Sequence, residues 1–224
     1  MPLPVTMTET LLQSTRDYVR HTLSGEGTGH DWWHIQRVTK TALYICDREN
    51  ADPVIVELAA LLHDIDDWKF SGDVTAGASA ARAWLEQNNA PDATTDAVVQ
   101  IIERLSYKGG FETRPMTSLE GKIVQDADRL DALGPVGIAR TFAYGGAKHR
   151  LIHDPDHSPE SHADFESFKA AEGTTINHFY EKLFKLKDTL HTATAKQIGE
   201  KLHRYIERYI ADFYAQWDGR FDSL

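Results

Sequence analysis

Cysteine is almost missing: Cys46 stands alone in 224 residues. A single thiol excludes an intrachain disulfide and a cysteine-built zinc site, and it fits a reducing compartment. Basic side chains are also few, 24 Lys and Arg against 34 Asp and Glu, for a formal net charge of -10. That balance excludes a general affinity for a nucleic-acid polymer or an anionic membrane, while leaving room for a local basic pocket that takes a small anion. There is no run of 18 apolar residues, and Met1-Pro2-Leu3-Pro4-Val5-Thr6 lacks the basic patch and apolar stretch of an export signal. The expectation is a soluble, unexported, cytoplasmic chain without a membrane partner. Strand patterning, internal repeats, low-complexity tracts and composition breaks are absent as well. The length then predicts one all-α domain over residues 1–224.

Helical periodicity is what the chain does have. Leu11, Leu12, Thr15, Val19 and Leu23 predict a helix over 8–23, stopped by Gly25-Glu26-Gly27-Thr28-Gly29. Asp31 caps a helix over 32–48, and Asp52-Pro53 opens the next one. In that one, Leu58, Leu61, Leu62 and Ile65 recur at i, i+3, i+4 and i+7, and it is expected to run to about Trp68. Further helices are predicted over 74–87, up to Leu105, over 118–133, and over 136–144 ending at Gly145-Gly146. Residues 106–117 and 149–160 read as loops, the second, with Pro155 and Pro159, a candidate lid. The remainder predicts helices over 163–172, 175–186 and 192–217. In the last, Ile198, Leu202, Ile206, Tyr209, Phe213 and Trp217 form a stripe expected to dock on the core, and its aromatic face reads equally as a homodimer interface.

Three His-Asp pairs occur, His30-Asp31, His63-Asp64 and His153-Asp154, and only the second lies in a strongly apolar stretch. His153-Asp154 runs into Pro155, so turn chemistry explains it, and Asp31 is most simply a helix cap. Burying an imidazole beside a carboxylate is costly unless they are bonded or hold a metal. His34, His63, Asp64 and one aspartate of the 126–131 run would bring two imidazoles and two carboxylates from three helices. That mixed set suits a divalent ion of the Mn, Fe, Co, Ni or Mg kind with positions left open to water. Asp67, four residues beyond His63, would share its helix face.

The order His34, His63-Asp64, Asp128 resembles the HD-domain superfamily of metal-dependent phosphohydrolases. The strings 29–38 (GHDWWHIQRV), 61–65 (LLHDI), 120–128 (EGKIVQDAD) and 137–146 (GIARTFAYGG) look like its YpgQ/YedJ-like bacterial subgroup, and the likeness covers nearly the whole chain. It implies an all-α HD helical bundle with a metal-binding core at about 29–133, completed by C-terminal helices at about 134–217. It also implies one divalent ion, Mn2+ first with Ni2+, Co2+, Fe2+ or Mg2+ as alternatives, on His34, His63, Asp64 and Asp128. Asp126 and Asp131 are the rivals to Asp128 within one acidic run. The resemblance makes Asp67 the residue that activates water and nominates Arg37, Lys108, Arg129, Lys148 and Arg150 as phosphate cations, of which Arg37, Lys108 and Lys148 come first. His30, Tyr144 and His178 join them as candidate substrate contacts. The expected activity is nucleotide pyrophosphohydrolysis of a nucleoside triphosphate. The alternatives are a 5'-nucleotidase, a cyclic-nucleotide phosphodiesterase and a non-catalytic nucleotide sensor. A diiron oxygenase of this superfamily resembles sequences with extra histidines before the last aspartate, whereas here none lies between His63 and His149.

Overall fold

The computed structural model describes residues 5–24, 31–65, 76–105, 114–161 and 173–223, and every regular element among them is helical. The described residues within Met1–Tyr107 and Glu112–Asp128 form one compact unit, and those within Arg129–Leu224 form a second.

In the first unit α1 (Val5–Thr22) buries Leu11, Thr15 and Val19. Its Arg16 donates from Nε to Glu57 Oε1 at 2.9 Å and makes a second bond to the same oxygen through Nη2. That pairing is why a glutamate can sit inside the core. α2 (Trp32–Glu49) starts at Asp31, whose carboxylate accepts the His34 N–H at 2.9 Å, and it ends at Asn50 in the left-handed conformation. α3 (Pro53–Leu62) starts with Asp52 accepting the N–H groups of Val54 and Ile55 and with proline in its first turn. It contacts α1, α2 and α5, and Val56 to Leu62 are all buried, as expected for a helix with neighbours on every side. α4 (Ala76–Gln87) and α5 (Asp92–Leu105) pack on each other. Trp84 of α4 stacks on Tyr18 with ring centroids 3.8 Å apart and donates from Nε1 to Thr15. α6 (Leu119–Asp131) is held by Gln125, whose amide donates to the carbonyls of Arg104 and Leu105, both orphaned at the end of α5. Its last residues, Arg129 to Asp131, belong to the second unit.

The second unit is built from α7 (Gly134–Ala147), α8 (Thr175–His178), a π-helical turn (Phe179–Leu183), α9 (Phe184–Leu186) and the long α10 (Ala193–Trp217). Phe179, fully buried, lies 6.0 Å from the Phe142 ring and 6.1 Å from the Tyr209 ring, tying α7 and α10 together.

Several expectations need correction. α3 stops at Leu62, short of the expected end near Trp68, and His63 to Ile65 form a turn; Asp67, and with it the helix face it was expected to share with His63, lies outside the described residues. α7 runs through Gly145-Gly146 instead of ending there, because Gly145 serves close approach: a Cβ on it would lie 2.3 Å from Thr175 Oγ1. The predicted 175–186 helix is interrupted by the π-helical turn. The buried stripe of α10 is Ala195, Gly199, His203, Ile206, Ile210 and Ala215, while Trp217 is 50% exposed. Small residues at the contact let α10 approach closely, Gly199 meeting Leu190, and the larger aromatics flank it. The helix expected over 163–172 lies outside the described residues.

Candidate metal centre

The backbone around His34 and His63 is rigid for reasons legible in the residues. His34 sits at the third position of α2, its N–H fixed by the Asp31 cap, and it has no exposed surface. Ile35, Val38, Ala42 and Ile45 anchor the same helix in the core. His63 directly follows the buried run of α3, and its Nδ1 lies 2.8 Å from the Ala60 carbonyl. A carbonyl only accepts, so Nδ1 carries the proton and Nε2 presents a lone pair. That Nε2 faces His34 Nε2 at 3.3 Å, the two rings meeting edge to face.

Two carboxylates close the group. Asp64 Oδ2 lies 3.3 Å from His34 Nε2 and 3.6 Å from His63 Nε2, and Asp128 Oδ1 lies 3.4 Å and 3.8 Å from the same atoms. Ligand atoms about 2.1 Å from one ion are about 3.0 Å apart at right angles and about 3.4 Å apart at the tetrahedral angle. Separations of 3.3–3.8 Å therefore fit a shared cation. His34, His63 and Asp128 satisfy the spacing of a metal-holding group. The Ala60 carbonyl on His63 is the outer partner that a metal-bound imidazole ordinarily has. Sequence periodicity does not reveal it, because the acceptor is backbone.

The rivals to Asp128 have other places. Asp126 is fully buried on the adjoining face of α6, and Asp131 pairs with Arg140 at 2.8 Å. Arg37 lies three residues beyond His34 and is half-buried in the first unit. Asp67, Lys108 and His30 lie outside the described residues.

Arg129, Lys148, Tyr144 and His178 belong to the second unit. Arg129 is buried and donates to the Thr189 carbonyl with His191 Nε2 nearby, so it anchors that turn. Lys148 and Arg150 both stand over the Tyr144 ring, at 5.8 and 5.9 Å from its centroid. His178 is pushed down to about 3 by desolvation first and then by the cations Lys182 and Arg150. It is neutral at ordinary pH. Lys182, one turn beyond His178, is a member of this group that sequence reasoning missed, since nothing in its spacing separates it from a solvated surface lysine.

Comparison with known proteins agrees with the geometry. The HD domain family model matches residues 32–133, which contain all four candidate ligands. The uncharacterized protein YpgQ of Bacillus subtilis is 38% identical over 201 residues, covering 88% of this chain and 89% of that one. Its crystal structure in complex with ADP superposes with a TM-score of 0.75 at 35% identity, over 94% of this chain and 96% of that one. An HD-superfamily hydrolase from Bacillus thuringiensis superposes with a TM-score of 0.74 at 41% identity, over 94% and 98% of the two chains. A paired imidazole and carboxylate set on a helical scaffold, with relatives this similar along nearly their whole length, has one family assignment: the chain belongs to the HD-domain superfamily of metal-dependent phosphohydrolases.

Proposed function

We propose that this chain is a nucleotide pyrophosphohydrolase that cleaves a phosphoanhydride of a nucleoside triphosphate and releases pyrophosphate. The observation that carries the reading is the pairing of the buried His34 and His63 imidazoles at 3.3 Å, with a carboxylate oxygen of Asp64 and one of Asp128 each 3.3–3.8 Å from both Nε2 atoms. The ADP bound by the related YpgQ supports a nucleotide as the ligand class. His34, His63, Asp64 and Asp128 hold one divalent ion, Mn2+ in our reading, which supplies Lewis acidity toward a phosphoryl oxygen and toward water.

The remaining work falls to side chains. Asp67, three residues beyond Asp64 in the sequence, accepts the proton lost by the attacking water. Arg37, on the helix that presents His34, and Lys108 place positive charge where the leaving oxygens gain negative charge. His63 contributes through its orientation, its Nδ1–H held on the Ala60 carbonyl so that Nε2 remains a lone-pair donor. The single cysteine and the acidic composition support a cytoplasmic setting. No described helix is long and apolar enough to cross a membrane.

The test is product analysis on a nucleotide panel with metal-stripped protein, Mn, Co, Ni or Mg restored, and the His63→Ala variant alongside. Metal-dependent release of pyrophosphate from triphosphates, lost in the variant, is the expected result. Orthophosphate from monophosphates would replace the reading with a nucleotidase. Binding without turnover would replace it with a sensor.

A further inference from the structure

α2 holds one large side chain in solvent where the protein's own packing gives it nothing to touch. Trp33 is 58% exposed, and among the described residues its indole stacks on no ring and its N–H meets no acceptor. Trp84, Trp217 and Tyr44, by contrast, have their faces covered. Trp84 lies on Tyr18 at 3.8 Å and donates to Thr15, Trp217 stacks on Phe213 at 5.8 Å, and Tyr44 carries the Arg48 guanidinium 3.5 Å from its ring centre. We propose that Trp33 is the base platform of the substrate site, an indole face on which the nucleobase of a nucleoside triphosphate stacks. This deepens the phosphohydrolase reading above and rests on it.

Helix geometry sets the placement. At 3.6 residues per turn, the buried positions Ile35, Val38, Ala42 and Ile45 fall to one side of His34, and Trp33 and Arg37 fall to the other, about 100° and about 60° round the axis from it. His34 therefore stands at the border between the core face and the solvent face of α2. The carboxylates show the same opening, the Asp64 side chain being 10% exposed and that of Asp128 32%. Along the axis, Trp33 precedes His34 and leans toward the N-terminus, while Arg37 follows nearly one turn later. Trp33, His34, Arg37 is thus the order of base, reacting phosphate and leaving pyrophosphate in a triphosphate cleaved beside its α-phosphorus. The first turn that carries the indole is held by Asp31, whose carboxylate accepts the His34 N–H at 2.9 Å and whose carbonyl accepts that of Ile35 at 3.3 Å.

The neighbours of Trp33 decide what it takes. The α2 positions that share its face one and two turns on are Arg37 and Lys40, both cationic, so the indole is not the centre of an apolar patch that another protein would cover. A flat ring beside cations and a metal centre matches a ligand with an aromatic end and an anionic end. Stacking holds the aromatic end without reading its edge, because every base has a π-face. The site consequently favours nucleoside triphosphates over inorganic tripolyphosphate, with Trp33 as the residue that makes the distinction.

Titration calorimetry of α,β-methylene adenosine triphosphate, which resists cleavage at that bridge, into the Mn-loaded full-length protein tests the platform without turnover. Trp33→Ala should weaken binding by about fivefold to a hundredfold, and Trp33→Phe, which keeps a ring, by no more than about threefold. Inorganic tripolyphosphate, which has no base, should bind the parent and Trp33→Ala alike. Tyr44→Ala, about three turns along the same helix, is the control and should bind the analogue as the parent does. Far-ultraviolet circular dichroism checks that each variant is folded. No saturable binding of the analogue by the parent, parental affinity in folded Trp33→Ala, or an equal loss for tripolyphosphate would each overturn the platform. Turnover by the parent decides the hydrolase reading separately. A chain that cleaves nucleotides and ignores Trp33→Ala keeps that reading and loses the platform, and one that binds the analogue through Trp33 without cleaving any triphosphate does the reverse.

Discussion

At the scale of single residues, the acidic run at 126–131 shows why spacing narrows a site without completing it. Asp126, Asp128 and Asp131 are chemically alike, and only the fold separates them: the first is fully buried, the second reaches both imidazoles, and the third pairs with Arg140. Helical geometry alone excludes Asp126 from the Asp128 face, but the Arg140 partner is visible only once α7 is built. His178 is the residue whose protonation makes the sharpest forecast. Desolvation, Lys182 and Arg150 lower it from 6.5 to about 3, so the folded chain keeps it neutral while the unfolded chain protonates it. The unfolded state therefore binds more protons below pH 6.5, and stability falls as pH drops from there toward about 3. The contribution is fully present above pH 6.5 and changes by up to about 1.4 kcal/mol per pH unit inside the window. Urea unfolding at pH 7 and pH 5, comparing the parent with His178→Gln, should show a loss smaller in the variant by about 2 kcal/mol. Equal losses would mean that His178 is protonated in the folded protein.

At the scale of elements, the adjacent glycines of α7 make opposite forecasts from one helix. A methyl group on Gly145 would sit 2.3 Å from Thr175 Oγ1 and force α7 and α8 apart, whereas nothing lies within 4 Å of the same position on Gly146. Gly145→Ala should destabilise by about 1–3 kcal/mol through overpacking. Gly146→Ala should stabilise by about 0.5–1 kcal/mol through the lower entropy of the unfolded chain and the better helix propensity of alanine. Thermal melts of the two variants with opposite signs confirm the contact; equal signs refute it. The pair also shows what was legible at this scale. Caps read well, because Asp31 and Asp52 act through local bonds to N–H groups two or three residues on. Gly145-Gly146 misreads as a stop because a glycine placed for close packing has the same letter as one placed for a turn. The α10 stripe misreads for a related reason. Aromatic positions dominate a periodicity count, but Ala195 and Gly199 are what let α10 come near its neighbours. The early end of α3 at Leu62 carries no breaker residue, so nothing local announces the turn that presents His63 and Asp64.

At the scale of the whole molecule, the four candidate ligands tie distant parts of the sequence into one unit: His34 from α2, His63 and Asp64 from the turn after α3, and Asp128 from α6. An ion that binds this arrangement and not the unfolded chain must stabilise it by mass action. At a free concentration one hundred times the dissociation constant, the gain is about 2.7 kcal/mol. For a unit of this size that corresponds to a rise in melting temperature on the order of 5–15 °C. The same linkage predicts where protection appears. Hydrogen exchange should slow on Mn addition in α2, at the end of α3 and in the second half of α6, the segments that must hold together for the ligands to meet. His63→Ala removes one imidazole and leaves His34, Asp64 and Asp128, so it should abolish both the melting shift and the slowed exchange at modest metal concentration. Asp131→Asn, which weakens the Arg140 pair, should lower stability while keeping the metal-induced shift. A full shift retained in His63→Ala would move the ion to a different set of residues; a shift lost in Asp131→Asn would restore Asp131 to the ligand set in place of Asp128.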